Sequence, residues 1–332
     1  LGAELTGDAS LSRRPMDRVV YPLQAMGARI SYIGGRDRLP IQIESRASGQ
    51  LRFLRYRPRI SSAQVRAALL LAAAASGTSL EIQDRLRPRD HTERILRFMG
   101  APISSRSADE GERIQFEASD WDGSLDPLTA EVPGDLSSAA FLVVAGLLRG
   151  HGLTVRGVGL NPSRAGFLDV LRRMGAKVSQ AVIAEEAGEP RGDLSVLADR
   201  LRPFSVEEEE VPRLVDEVPA LAVLASRTAG ISEIRGATEL RVKESDRIRL
   251  LATNLQAVGV ECDELEDGLR IRGTNAPLHG RVRTGGDHRI AMAFGVLGAS
   301  PGCEIEVDDP GCVRVSYPGF WDALGIIRSQ EA

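Results

Sequence analysis

Apolar and polar positions alternate along this chain in blocks that recur about every 75 residues. Each copy opens on a small polar cluster and enters an Ala/Leu-rich stretch. A short strand follows, then a second stretch that closes on Gly-Ala or Gly-Val. The openings fall near Ser61, Ser137, Asp216 and Asp287. The closings are Met26-Gly27-Ala28, Met99-Gly100-Ala101, Met174-Gly175-Ala176 and Val258-Gly259-Val260, with a last echo at Leu324-Gly325. Residues 63–75, 138–148, 219–225 and 290–297 are apolar on nearly every side, which predicts four buried helices. Residues 92–99, 165–174 and 246–258 carry apolar side chains at i, i+3 and i+4 with charges between, the pattern of surface helices. Short strands are predicted at 79–83, 153–156, 231–234 and 304–307. The unit therefore reads as helix, strand, helix, strand around a buried helix. Residues 1–45 hold only the second half of a unit, so the chain reads as cut at its N-terminus. Residues 181–213, rich in Glu, Pro and Gly and including Glu207 to Glu210, read as a solvated loop or edge.

Composition narrows the function classes. A length of 332 residues suggests two domains, and a net charge of -4 with a pI near 5.8 lacks the basic footprint of a nucleic-acid binder. Cys262, Cys303 and Cys312 are few, odd in number and without C-x-x-C spacing, which argues against a disulfide framework or structural zinc and for a reducing compartment. No apolar run reaches the roughly 18 residues of a membrane span. The start, Leu1-Gly2-Ala3-Glu4, lacks a secretory signal. All but two of the 42 basic residues are arginine. Lys177 follows a helix end, where a surface role is the default, whereas Lys243 lies within a dense charged cluster.

The polar clusters stand where buried helices begin: Ser61-Ser62-Ala63-Gln64, Asp135-Leu136-Ser137-Ser138, Asp216-Glu217 and Gly286-Asp287-His288-Arg289. Ser and Asp there are ordinary N-caps. Helix starts also present free N–H groups and positive dipole ends, so several together make an anion site. Three segments go beyond capping. Arg289 lies in a first helical turn, where it opposes the dipole unless an anion is bound. The segment from Arg241 to Arg247, RVKESDR, is either a solvated helix start capped by Ser245 or a site where Lys243 and Arg247 hold anions and Glu244 exchanges protons. Ser12-Arg13-Arg14-Pro15-Met16 is either a proline-started helix or an anion clamp.

The strings GDASLSRRPMDRV, ISSAQVRAALLLAAA, RDHTERILRFMGA, VPGDLSSAAF, VDEVPALAVLA, RVKESDRI, GDHRIAM and SYPGFW run in this order. Together they resemble the 3-phosphoshikimate 1-carboxyvinyltransferase (EPSP synthase) family over essentially the whole chain. The resemblance implies an α/β, two-domain enolpyruvyl transferase fold, an inside-out α/β barrel of repeated units with buried helices. Its boundary would leave residues 1–131 as an incomplete N-terminal domain on the phosphoshikimate side. Residues 132–332 would form the C-terminal domain, carrying phosphoenolpyruvate and the catalytic acid and base.

The implied reaction transfers the enolpyruvyl group of phosphoenolpyruvate to the 5-hydroxyl of shikimate 3-phosphate through a tetrahedral intermediate, without metal or cofactor, in a cytoplasmic monomer that binds no nucleic acid or membrane. By motif, Asp216 would take the hydroxyl proton and Glu244 would protonate the enol methylene, although cationic neighbours favour its carboxylate form. Arg14, Arg247 and Arg289 would grip phosphoenolpyruvate. Ser62, Ala63, Gln64, Lys243 and Arg89 would line the shikimate 3-phosphate site.

Pro88 stands where many members have a phosphate-binding Ser, and Arg314 is at best a displaced substitute for a C-terminal lysine. The family's N-terminal Lys-Ser pair and its Asn-Ala-Gly-Thr motif are not in this chain, so weak or no turnover is expected of it. The alternatives are a UDP-N-acetylglucosamine 1-carboxyvinyltransferase-like enzyme, which RPMDRV and RVKESDR fit less well, an RNA 3'-phosphate cyclase-like enzyme, which would carry a nucleotide-linked His and a basic surface, and a non-catalytic fragment whose polar helix starts are only caps.

Overall fold

The recurring unit folds as a strand, a core helix, a parallel strand, an amphipathic helix and an antiparallel strand pair. A computed structural model describes residues 2–44, 51–108, 111–197 and 200–329. The chain divides into two units, Leu1–Glu131 with Glu186–Glu189, and Val132–Glu185 with Pro190–Ala332.

In the first unit, β1 (Ala3–Leu5), α1 (Asp17–Ala25), β2 (Ile30–Tyr32) and β3 (Ile41–Ile43) give a sheet of order β1-β3-β2. Next come β4 (Leu54–Tyr56), α2 (Ala63–Ser76), β5 (Leu80–Asp84), α3 (His91–Phe98), β6 (Ile103–Ala108) and β7 (Gly111–Phe116), in the order β4-β5-β7-β6.

In the second unit, α4 (Leu136–Arg149), β8 (Leu153–Gly159), α5 (Gly166–Arg173), β9 (Lys177–Glu186) and β10 (Glu189–Leu197) give β8-β10-β9, with a parallel bridge from Gly134 to Val158 in place of the leading strand. Then β11 (Ser205–Val206), α6 (Val218–Ser226), β12 (Gly230–Ile234), α7 (Arg247–Ala257), β13 (Glu261–Leu265) and β14 (Gly268–Gly273) repeat the order of the β4 sheet as β11-β12-β14-β13. Last, β15 (Leu278–Val282) and β16 (Cys303–Val307) pair in parallel around α8 (His288–Gly298), and α9 (Phe320–Ser329) follows.

The repeated Gly closings have one physical cause. After α1, α3, α5 and α7 the glycines Gly27, Gly100, Gly175 and Gly259 have φ between 87° and 99°, a region that L side chains disfavour. The residue after each glycine donates back five positions, as Ala176 N does to Leu171 O at 3.0 Å, and the glycine donates to the carbonyl three back, as Gly175 N does to Arg172 O at 3.0 Å. Both bonds satisfy carbonyls that a helix end leaves open. Gly325 lies inside α9, so the last echo is not a helix end.

All of α6 is buried, and α4, α6 and α8 pack on one another. On α8, Gly295 lets α9 approach closely, since a Cβ there would stand 2.6 Å from the Trp321 ring. The core helix α2 departs from the expectation of burial on all sides, because Leu71 is exposed while Arg66 is buried.

The unit ends on two strands, and the second of them (β7, β10 or β14) pairs on both sides. These strands bury one face and alternate with charge, so their composition hid them. Residues 181–213 accordingly hold most of the β9–β10 hairpin, together with β11 and a short 3-10 turn; 198 and 199 lie outside the described residues. Helix α1 begins at Asp17 with Met16 at its N-cap, so Pro15 precedes the helix.

Candidate active site

One side chain joins the starts of α6, α7 and α8. Arg247, the first residue of α7, is fully buried. Its Nε donates to Asp287 Oδ2 at 2.8 Å, its Nη2 to Glu244 Oε2 at 2.6 Å, and its Nη1 to Asp216 Oδ1 at 3.4 Å. Asp287 caps α8 by accepting from Arg289 N at 2.9 Å, and it accepts from Ser245 Oγ at 2.8 Å. Asp216 immediately precedes Glu217, the N-cap position of α6, a helix that Pro219 helps to start. Arg289 Nη1 donates to the Asp216 carbonyl at 3.1 Å, and its Nη2 lies 3.8 Å from Asp216 Oδ2. Lys243 Nζ stands 4.0 Å from Asp216 Oδ1 and 3.5 Å from Glu239 Oε1.

The electrostatics follow from this crowding. Burial works against the Arg247 charge, but Asp287, Glu244 and Asp216 outweigh it and hold its pKa above the ordinary value. Burial alone would raise Asp287, yet the Arg247 charge and the hydrogen bonds from Arg247, Ser245 and the Arg289 N–H place it below the usual carboxylate range. Burial, reinforced by Arg289, lowers the pKa of His288, which favours neutral imidazole.

The charged segment from Arg241 to Arg247 divides between the two readings of it. Arg241 donates to Asp246 Oδ2, Glu264 Oε1 and the carbonyls of Leu265 and Glu266, which ties the segment to β13. Asp246, not Ser245, is the N-cap of α7, accepting from Arg249 N at 3.0 Å. Lys243, Glu244 and Arg247 are left to the site. A second cluster adjoins it. Arg164 Nη2 lies 3.1 Å from Asp135 Oδ1 and 3.8 Å from buried Glu217 Oε1, and the Ser137 hydroxyl bonds to both Arg164 and Glu217.

The first unit holds the other residues of interest. Ser62 occupies the N-cap position of α2, and Ala63 and Gln64 are the first helical residues. Among the described residues the Ser62 side chain makes no capping hydrogen bond. Ser61 instead donates to Asp84 and accepts from Leu86 N at 3.2 Å. Arg89 precedes Asp90, the N-cap position of α3, and Arg14 ends the 3-10 turn Leu11–Arg13 ahead of α1. Ser62 also borders a cavity of about 850 Å³ lined by Arg18, Arg57, Arg59, Tyr21 and Tyr56, among others.

The structure thus gathers Asp216, Lys243, Glu244, Arg247 and Arg289 around one point of the second unit, while Arg14, Ser62, Ala63, Gln64 and Arg89 belong to the first. Sequence reasoning missed Arg164, and it read Ser245, Glu217 and Asp287 only as parts of helix-capping clusters. An acidic cap one residue from another charged residue, as in Asp216-Glu217, was the available signal. Chemically, the site offers two carboxylates on one buried guanidinium, with Lys243 and Arg289 partly exposed for an anion. Among the described residues no group of three His, Cys, Asp or Glu side chains is arranged to hold a metal ion.

Comparison with known proteins bears on this geometry. The family model described as EPSP synthase (3-phosphoshikimate 1-carboxyvinyltransferase) matches residues 2–324. A 3-phosphoshikimate 1-carboxyvinyltransferase of Thermus thermophilus is 46% identical over 98% of this chain and 73% of its own length. The solved EPSP synthase of Acinetobacter baumannii, 33% identical, superposes with a TM-score of 0.81 over 98% of this chain and 74% of its own. The enolpyruvyl transferase NikO of Streptomyces tendae, 19% identical, shares the fold with a TM-score of 0.71. With a family model across nearly its whole length and relatives this similar, the chain belongs to the EPSP synthase (3-phosphoshikimate 1-carboxyvinyltransferase) family.

Proposed function

We propose that Asp216 and Glu244 are the base and the acid of enolpyruvyl transfer from phosphoenolpyruvate to the 5-hydroxyl of shikimate 3-phosphate, the reaction of the family to which the chain belongs. The observation that carries this reading is the attachment of both carboxylates to the buried Arg247, with the partly exposed Lys243 and Arg289 beside Asp216. As the hydroxyl oxygen adds to C2 of phosphoenolpyruvate, Asp216 accepts its proton and Glu244 delivers one to C3. Collapse of the tetrahedral adduct returns a proton from that carbon and expels phosphate. Phosphoenolpyruvate brings negative charge against Glu244, which favours the protonated form that the acid role needs. Arg289, with Arg247 and Arg14, grips the phosphate and carboxylate of phosphoenolpyruvate. Lys243, Ser62, Ala63, Gln64 and Arg89 receive shikimate 3-phosphate. A hydrogen bond to a charged group of this kind contributes about 1.5 to 3 kcal/mol.

Family membership favours this chemistry over the UDP-N-acetylglucosamine and RNA-cyclase alternatives. The reading carries a monomeric, cytoplasmic enzyme with it, and light scattering tests the first point. Phosphate release with both substrates tests the site. Asp216→Asn and Glu244→Gln should each lower turnover about 100-fold or more while substrate affinities stay within a few-fold. Because weak turnover is expected of this chain, the rate is read as single-turnover phosphate release with protein in excess, and variant rates equal to a measurable parent rate would remove the assignment.

A further inference from the structure

The first unit contains a buried charge that the proposed chemistry does not use. Arg66 lies one turn into α2, with its side chain 1% exposed. Its Nε donates to Asp84 Oδ2 at 3.0 Å, its Nη1 to Glu112 Oε2 at 2.9 Å and Glu93 Oε1 at 3.3 Å, and its Nη2 to the Leu86 carbonyl at 3.2 Å. Desolvating this many charges is expensive, and an apolar side chain on a core helix would stabilise the fold at least as well. The partners suggest what the cluster does. Asp84 accepts from the hydroxyl of Ser61, which in turn accepts from Leu86 N. Glu93 stands in the first turn of α3, and Leu86 begins the segment that leads to Arg89. A single guanidinium therefore joins the start of α2, the 84–89 segment and the start of α3.

We infer that Arg66 is a positioning residue for the shikimate 3-phosphate site: through Asp84 and Ser61, and through Leu86 and Glu93, it fixes Ser62, Ala63 and Gln64 relative to Arg89. The inference rests on the assignment of those four residues to shikimate 3-phosphate. A planar fork with three directed hydrogen-bonding nitrogens suits this task, and a lysine ammonium has no such fork. Displacing phosphate ligands by about an ångström is enough to weaken a preorganised site.

Calorimetric titration of the full chain with shikimate 3-phosphate and, separately, with phosphoenolpyruvate provides the test. Arg66→Lys should weaken shikimate 3-phosphate binding about tenfold and leave phosphoenolpyruvate affinity within twofold. Ser61→Ala, which cuts the link to Asp84 while leaving every buried charge in place, should weaken the same ligand severalfold. It decides the matter if the lysine variant fails to fold. The combined variant should lose less than the product of the two effects, because both act on one chain of contacts. Unchanged shikimate 3-phosphate affinity in Arg66→Lys and Ser61→Ala, with a loss in Arg89→Ala, overturns the inference alone. Equal losses for both ligands also overturn it, since they mark a general structural role. Unchanged affinity in both Arg89→Ala and Gln64→Ala removes the site assignment beneath it.

Discussion

Replacing Asp287 by asparagine removes the charge that anchors Arg247. The side chain is fully buried, accepts two bonds from Arg247, one from Ser245 and one from the Arg289 N–H, and caps α8. Asparagine caps a helix about as well as aspartate, so the cap survives through Oδ1, while the charge and the bond that Oδ2 accepts from Arg247 Nε are lost. Breaking a buried pair by removing one partner costs about 3 to 5 kcal/mol, because the remaining charge stays buried. Here Glu244 and Asp216 still face Arg247, which lowers the expected cost to about 2 to 3 kcal/mol, or about 4 to 12 °C in melting temperature for a unit of this size. The Asp287 pKa is depressed in the folded chain, so its stabilisation is complete above the ordinary value of 3.8 and is lost as pH falls through the lower folded value. Urea unfolding of wild type and Asp287→Asn should therefore give a difference that is flat from pH 7 to 5 and shrinks below about 3.8. A difference under about 1 kcal/mol at pH 7, or one that grows toward acid, refutes the argument.

Glu93 behaves in the opposite sense. Burial raises its pKa above 4.5 despite Arg66, so its stabilising contribution is complete below that value and is lost as pH rises through the folded one. Glu93→Gln should then be no less stable than wild type at pH 7, and a loss above about 1 kcal/mol in urea unfolding contradicts this. The depressed pKa of His288 keeps full stability above 6.5 and removes some as pH falls below it; His288→Asn should flatten that slope in melting curves taken from pH 7.5 to 5. Gly175→Ala places a side chain at φ 96° and should cost about 1 to 2 kcal/mol by chemical denaturation, whereas Gly325→Ala inside α9 should stabilise the helix by up to about 1 kcal/mol.

What could be read from the sequence was local along the chain. The Gly closings of α1, α3, α5 and α7 follow from a backbone requirement at one residue, and the Ala-rich helices α4, α6 and α8 from composition within one stretch. Lys243, Glu244 and Arg247 stood out because charge crowds a helix start, and Arg289 because it opposes a helix dipole. The strand β10 was hidden because charged Glu189, Arg191 and Asp193 alternate with its buried positions, and β9 because none of its residues is buried. The partners of buried charges were harder still. Arg247 meets Asp287 across 40 positions and Arg66 meets Glu112 across 46, and no spacing rule joins residues so far apart.

These distant pairs share a physical logic. A core helix start already carries partial positive charge, and an arginine buried beside it adds a full one. Without a ligand the combination is tolerable only if carboxylates surround the cation. Arg247 and Arg66 each have three, and the less buried Arg164 has Asp135 and Glu217 near it. Such clusters contribute little net stability, since desolvation offsets most of the attraction. What they supply is direction: each guanidinium fork orients its carboxylates, and several of these hold a helix cap or a serine, as Asp287 does for α8 and Ser245, Asp135 for α4 and Asp84 for Ser61. An arginine that organises acids around helix starts, as inferred for Arg66, can serve anion chemistry without touching the anion, which gives a reason for a buried cation in the first turn of the apolar helix α2.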